Sequence, residues 1–157
     1  MSDIGEVARM WEFEKGLIST EEAKKAIEYM QNNHEKNKPG MIYHLCFAVF
    51  KKGSERIIGW CGLDGTTAEK LHIFYLIDKT YRDNGYATQC AERLLSYAFN
   101  EAHVRFVNGG CDKDNVASYK IMLKIGMKNN GYDADGNPLF FIDDGTYHKN
   151  SPGGNNA

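Results

Sequence analysis

No run of about 18 consecutive apolar residues occurs in this chain, so a membrane-spanning helix is not expected. Residues 1–9 are acidic and polar and lack the basic and apolar zones of a secretory signal. Cysteine is sparse and widely spaced: Cys46, Cys61, Cys90 and Cys111, with no Cys-x-x-Cys pair to suggest zinc or any other bound metal. Three of the four sit in apolar runs, the pattern of reduced, buried thiols in a cytoplasmic protein. Neither sign of charge is in large excess; the formal net charge is −2, and nothing global suggests nucleic acid. Two phosphate-binding signatures are also missing. There is no Gly-x-x-x-x-Gly-Lys-Ser/Thr loop and no Gly-x-Gly-x-x-Gly fingerprint. Internal repeats and interdomain linkers are absent too.

What remains is an ordinary globular balance, 42% apolar and 25% charged over 157 residues, enough for one domain with a real core. Residues 1–147 read as that domain. Residues 148–157 are rich in Gly and Asn and read as a disordered tail. Residues 20–30 repeat Ala23, Ile27 and Met30 at helical spacing, with Ser19 or Thr20 as cap and Glu22 three residues after Ser19. Residues 32–40 are polar and end in Pro-Gly, a loop. Residues 41–50 and 56–63 read as a hairpin across a turn at 51–55. Residues 71–77 are a short apolar run, a buried strand. Residues 87–100 carry Leu94, Leu95, Ala98 and Phe99 on one helical face. Residues 104–111 read as a strand, 115–125 as a helix stopped by Gly126, and 127–132 with 138–143 as a last hairpin. Strand–helix–strand units in the second half point to an α/β class with a mixed sheet.

The most telling stretch is Arg82-Asp83-Asn84-Gly85-Tyr86-Ala87-Thr88, between the 71–77 strand and the 87–100 helix. The first turn of a helix has N–H groups with no intrahelical partner, and the helix dipole adds positive potential there. An anion is stabilised by both. Gly85 gives the turn conformational freedom, and Ala87 keeps the approach to the backbone open. Taken alone, an Arg-x-x-Gly-x-Ala string is weak and equally fits an ordinary strand-to-helix turn.

Its flanks add weight. Residues 57–63 (Ile-Ile-Gly-Trp-Cys-Gly-Leu), 73–78 (Ile-Phe-Tyr-Leu-Ile-Asp), the Tyr-Arg-x-x-Gly-Tyr-Ala-Thr form of 81–88, and Asn115-x-x-Ser118 followed by Lys124-x-Gly126 occur in one order. Together they resemble the GNAT acetyltransferases, specifically the ribosomal-protein N-acetyltransferase (RimJ/RimL-like) branch. The resemblance covers roughly residues 47–141. Met127 replaces the usual aromatic. Asp83 stands where glycine is usual, Asn84 where a basic residue is common, and Lys79 where proline is common. A first strand normal to the branch has only residues 7–13 as its counterpart here.

The resemblance implies a mixed twisted sheet flanked by helices, with a parallel strand pair that splays apart. It implies acetyl transfer from acetyl-CoA to a primary amine by direct attack, the acceptor being a protein N-terminus or a small-molecule amine. It places the pantetheine arm on Leu76 and Ile77, the pyrophosphate on Arg82, Asp83, Asn84, Gly85, Tyr86, Ala87 and Thr88, and a further coenzyme contact on Asn115. Ser118 is the first candidate for protonating the leaving thiolate; the bland alternative is that Asn115 is a helix cap and Ser118 merely packs. Tyr119 ranks second, since it lies four residues after Asn115 rather than the seven of other branches. His72 stands where the branch often carries an acidic residue, and is the candidate base; a structural histidine is the alternative. Cys111 is a candidate lining of the acetyl pocket. Trp11, Phe13, Tyr29, Tyr43 and Trp60 are candidate acceptor-wall residues or core. The other class of function left open is a GNAT-fold module that holds the coenzyme without turnover. A homodimer paired through the C-terminal hairpin is compatible with the pattern.

Overall fold

The computed structural model describes residues 19–65 and 70–150. Trp11, Phe13, the candidate strand at 7–13 and residues 151–157 lie outside them. Helix α1 (Thr20–His34) opens on a capping box: the Ser19 hydroxyl accepts the Glu22 N–H at 3.2 Å, and the Glu22 carboxylate accepts the Ser19 N–H at 2.7 Å. The helix runs four residues past Met30. Its last turn is polar, yet Asn33 is buried there and accepts a hydrogen bond from Lys36 Nζ at 2.8 Å. Strand β1 (His44–Phe50) starts three residues later than the 41–50 expected. Asn37 explains this: its Oδ1 accepts the N–H groups of Tyr43 and His44, and its Nδ2 donates to the His44 carbonyl. The amide side chain pins the entry to the strand.

Strands β2 (Ile57–Asp64) and β3 (His72–Ile77) follow, then helix α2 (Tyr86–Ser96), which widens into a five-residue π turn at Tyr97–Glu101. Strand β4 (Phe106–Gly110), helix α3 (Val116–Lys124), strands β5 (Lys128–Tyr132) and β6 (Pro138–Asp143) and helix α4 (Asp144–Asn150) complete the order. Helix α4 enters the segment expected to be tail: His148 Nε2 lies 3.1 Å from Asp144 Oδ1 one turn back, holding its exposed face.

One six-stranded sheet runs β1-β2-β3-β4-β6-β5. All neighbours are antiparallel except β3 and β4. This is the mixed α/β sheet flanked by helices that the strand–helix–strand order implies. Residues on a strand alternate faces, and the register sorts them. One face carries Leu45, Cys61, Leu63, Ile73 and Val107, buried under Ala91, Leu94, Leu95 and Ala98 of α2 and Met122 of α3. The other face carries His44, Asp64, His72, Phe74 and Asn108, with α1 against β1 at its margin, where Tyr29 meets the His44 ring edge-on. Gly62 matters to this packing: a Cβ there would run into the Leu45 carbonyl oxygen and the Phe74 ring. All four cysteines are free thiols.

Candidate functional site

Strands β3 and β4 share a single rung, His72 opposite Asn108, made where the Asn108 N–H donates to the Leu71 carbonyl at 2.7 Å. Beyond that rung they part. Leu71 therefore turns its backbone toward β4, and alternation turns Ile73, Tyr75 and Ile77 the same way. Leu76 faces β2 instead, opposite Trp60, and its carbonyl oxygen lies where a Cβ on Gly59 would be. The open strand edge thus belongs to Tyr75 and Ile77 rather than to Leu76, whose position only lines the cleft. The Ile77 carbonyl is already taken by Arg82 Nε–H at 3.0 Å.

The parted strands open into a cleft of about 630 Å³, a size ordinary for a cofactor site. Its walls include Tyr75, Leu76 and Ile77 from β3, Arg82, Asp83, Gly85, Tyr86, Ala87 and Thr88 from the turn and α2, and Asn115, Ser118 and Lys120 from α3. Asn84 is not on that wall. Its Nδ2 folds back to the carbonyls of Arg82 at 2.7 Å and Tyr81 at 3.3 Å and stiffens the turn from behind. Asp78, almost wholly buried, caps the short 3-10 turn Lys79–Tyr81 through the Thr80 N–H and hydroxyl. Lys79 sits in that turn, exposed, away from the cleft wall.

Gly85 is the N-cap of α2 at φ 78°, and Asp83 is also left-handed at φ 61°. Asp tolerates that region better than most residues, which gives Asp83 a backbone reason to stand where glycine is usual. Its side chain is exposed at the rim. The first intrahelical bond of α2 is Gln89 N–H to the Gly85 carbonyl, so the N–H groups of Tyr86, Ala87 and Thr88 have no place in the helix ladder. They form an anion cradle where the open strand edge ends.

Asn115 is the N-cap of α3, its Oδ1 accepting the Ser118 N–H at 3.0 Å, and both residues line the cleft. Asn115 is therefore a helix cap that also faces the cleft. Tyr75, passed over in the sequence, reaches across to α3: its hydroxyl donates to the Ser118 carbonyl at 3.4 Å. Burial holds that phenol protonated, its pKa raised above the ordinary value. Lys120, Val116, Ala117 and Ile121 also line the cleft and were not singled out. The i, i+3, i+4 spacing from Ala117 and Ser118 was the available signal. Tyr119, by contrast, turns about 100° round α3 and packs edge-on against Phe140 at 5.2 Å in the core. It is not on the cleft wall. Cys111 follows β4 outside that wall; burial and nearby Asp112 push its thiol up, so it stays neutral.

His72 lies on the opposite face of the sheet from Tyr75, beside the rung where the wedge begins. It is not part of the cleft wall. Burial first, then Lys70, lowers its pKa below the ordinary value, with Asp64 opposing. Trp60 is half-buried on that same face, and Tyr43 is half-buried with Lys36 Nζ over its ring at 4.8 Å. Among the described residues no helix is long and apolar enough to cross a membrane.

Residues 3–128 match the family model described as Acetyltransferase (GNAT) domain. The chain therefore belongs to the GNAT acetyltransferase family. Among curated relatives it is similar to YnaD of Bacillus subtilis (strain 168), an uncharacterized N-acetyltransferase, at 33% identity over 60 residues, 38% of this chain and 35% of that protein. The match thus spans about a third of that relative's length. Among solved structures it resembles the ribosomal-protein-S5-alanine acetyltransferase of Vibrio fischeri, with a TM-score of 0.69, 17% identity, and 80% of this chain and 73% of that one covered. It also resembles a spermidine N-acetyltransferase chimera from Vibrio cholerae and hSSAT, with a TM-score of 0.71, 15% identity, and 92% of each chain covered. At such identities the likeness is one of fold.

Proposed function

We propose that this protein transfers an acetyl group from acetyl-CoA to a primary amine by direct attack. One observation carries the reading: the strand edge left open by the single-rung β3–β4 pair leads straight to the unladdered N–H groups of α2. An extended amide chain ending in a pyrophosphate needs both, in that order. Tyr75 and Ile77 offer the edge to the pantetheine arm, and Tyr86, Ala87 and Thr88 the amides for the pyrophosphate. Arg82 and Lys120 add positive charge on the two sides of the cleft. Asn115 holds the α3 wall in place.

The amine arrives on the other face of the sheet, beside His72, which is neutral at physiological pH and can accept its proton. The amine nitrogen then bonds the thioester carbonyl carbon as the carbon–sulfur bond breaks. A backbone N–H of the open edge stabilises the oxyanion. The sulfur takes a proton through the Ser118 hydroxyl, or through Tyr75 beside it.

The acceptor is a protein N-terminus or a small-molecule amine; the names of the two solved structures, a ribosomal-protein-S5-alanine and a spermidine acetyltransferase, fall within that range. The test is thiol release from acetyl-CoA with a panel of N-terminal peptides and polyamines. Release with at least one acceptor is expected. Tight coenzyme binding with no release across the panel would favour a module that holds the coenzyme without turnover.

A further inference from the structure

Three side chains that the cleft does not use lie in one row across the sheet. His44 on β1 is the register partner of Asp64 on β2, and Asp64 is the register partner of His72 on β3. Direct partners across antiparallel strands share a face, with Cβ atoms roughly 5 Å apart. His44 Nδ1 lies 3.6 Å from Asp64 Oδ1. The His44 ring is only 7% exposed, stacked on Phe74 at 6.2 Å and edge-on to Tyr29 at 5.9 Å. Among the described residues neither of its nitrogens has a hydrogen-bond partner.

An aromatic slot of this kind asks only for an apolar ring. A buried polar group left unsatisfied destabilises the fold, so packing alone does not account for a histidine here. Asp64 is the charged group it faces. The next step along the row is His72, and the step after that is Asn108, at the rung where β3 and β4 part. Phe74 is the next residue of β3 on this face, about 7 Å on toward the wedge. The row therefore ends at the place where the amine must meet the thioester.

We propose that Asp64, with His44 beside it, is a positioning residue for His72: its carboxylate faces the imidazole as its register partner, draws one ring N–H to its own side and leaves the other nitrogen bare toward the wedge. The inference rests on the acetyl-transfer reading. The proton balance is simple. The acceptor ammonium gives one proton to the bare nitrogen, and the imidazolium so formed is stabilised by the Asp64 charge while the neutral amine attacks. Among the described residues, the charged and titratable groups around His72 are Asp64 across the sheet, His44 beyond it and Lys70 on its own chain; Asn108, on β4, is neutral. Asp64 and Lys70 pull on His72 in opposite directions.

The test labels histidine with 15N and follows His72 by NMR in the full-length wild type, in Asp64→Asn and in His44→Phe, which keeps a ring between Phe74 and Tyr29. In Asp64→Asn the His72 titration moves to lower pH and its tautomer balance shifts. His44→Phe shifts the tautomer the same way by less. With a working acceptor, kcat at pH 7 falls about tenfold in Asp64→Asn, a fraction of a full general-base contribution, while KM for acetyl-CoA stays within twofold. The acid limb of kcat/KM moves with the NMR titration. An unchanged His72 titration and tautomer in Asp64→Asn overturns the row, whatever the activity. A wild type that consumes no thioester, in which His72 still answers to Asp64, upholds the row and overturns acetyl transfer.

Discussion

Placing a carboxylate at Gly85 tests the anion cradle most directly. Gly85 caps α2 at φ 78°, and a Cβ there would meet only Gln89 Nε2 at 3.7 Å. Space is open, so alanine costs only the left-handed backbone, about 1 kcal/mol, or about 2–4 °C in Tm for a chain of this size. Glutamate pays the same backbone cost and adds a negative charge beside the pyrophosphate. Two unit charges 4 Å apart repel by about 4 kcal/mol at an effective dielectric of 20. Gly85 is exposed, so solvent halves this to about 2 kcal/mol, or about thirtyfold in Kd. The comparison of Gly85→Glu with Gly85→Ala cancels the backbone term. Calorimetric titration with coenzyme A at low and high salt reads the difference, which shrinks as salt rises. Equal affinity of the two variants would refute the placement of the pyrophosphate on this helix end.

Three further outcomes follow from geometry. Asn115→Ala removes the α3 cap and should cost about 1 kcal/mol in denaturant unfolding, with weaker coenzyme binding measured in the same sample. Ser118→Ala should lower kcat and leave KM for acetyl-CoA in place, and Ser118→Ala with Tyr75→Phe should lower it further; a double variant with wild-type kcat would exclude both hydroxyls as proton source. Folding lowers the proton affinity of His72, so its contribution to stability is fully present above its ordinary pKa of 6.5 and is lost as pH falls through the lower folded value. Denaturation midpoints of wild type and His72→Gln should therefore run parallel above pH 7 and converge or cross below pH 6, with wild type losing more.

Much of this architecture was legible because local signals agreed. Ser19 with Glu22 marked the start of α1, Gly126 the end of α3, and the apolar run at 71–77 the central strand. The turn into α2 was legible for the same reason, since Gly85 is needed where the chain turns left-handed into a helix. Boundaries set by side chains distant in sequence were not. Asn37 delays β1 by reaching over to Tyr43 and His44, and nothing in 41–50 announces it. The open edge falls on Tyr75 rather than Leu76 because the backbone hydrogen bond from Asn108 to Leu71 fixes which residues face β4; that depends on a strand more than thirty residues away. Tyr119 and Ser118 are neighbours in sequence, yet one helical step sends the first into the core and the second to the cleft. His44 carried no local motif, and only the register of three strands lines it up with Asp64 and His72.

The single rung between β3 and β4 has a mechanical meaning. It divides the sheet into two half-sheets, β1-β2-β3 and β4-β6-β5, sewn by one stitch and otherwise held by the helices packed over them. A molecule lying along the Tyr75 edge serves as the missing seam. Ligand at a hundred times Kd should stabilise the fold by about 2.7 kcal/mol, and the protection should concentrate at the seam. Amide hydrogens of Ile73 to Ile77 on the wedge side would slow in exchange when the cleft fills, while those of β1 and β5 at the outer edges would keep their rates. The ligand would then act as a strand that the chain itself does not supply.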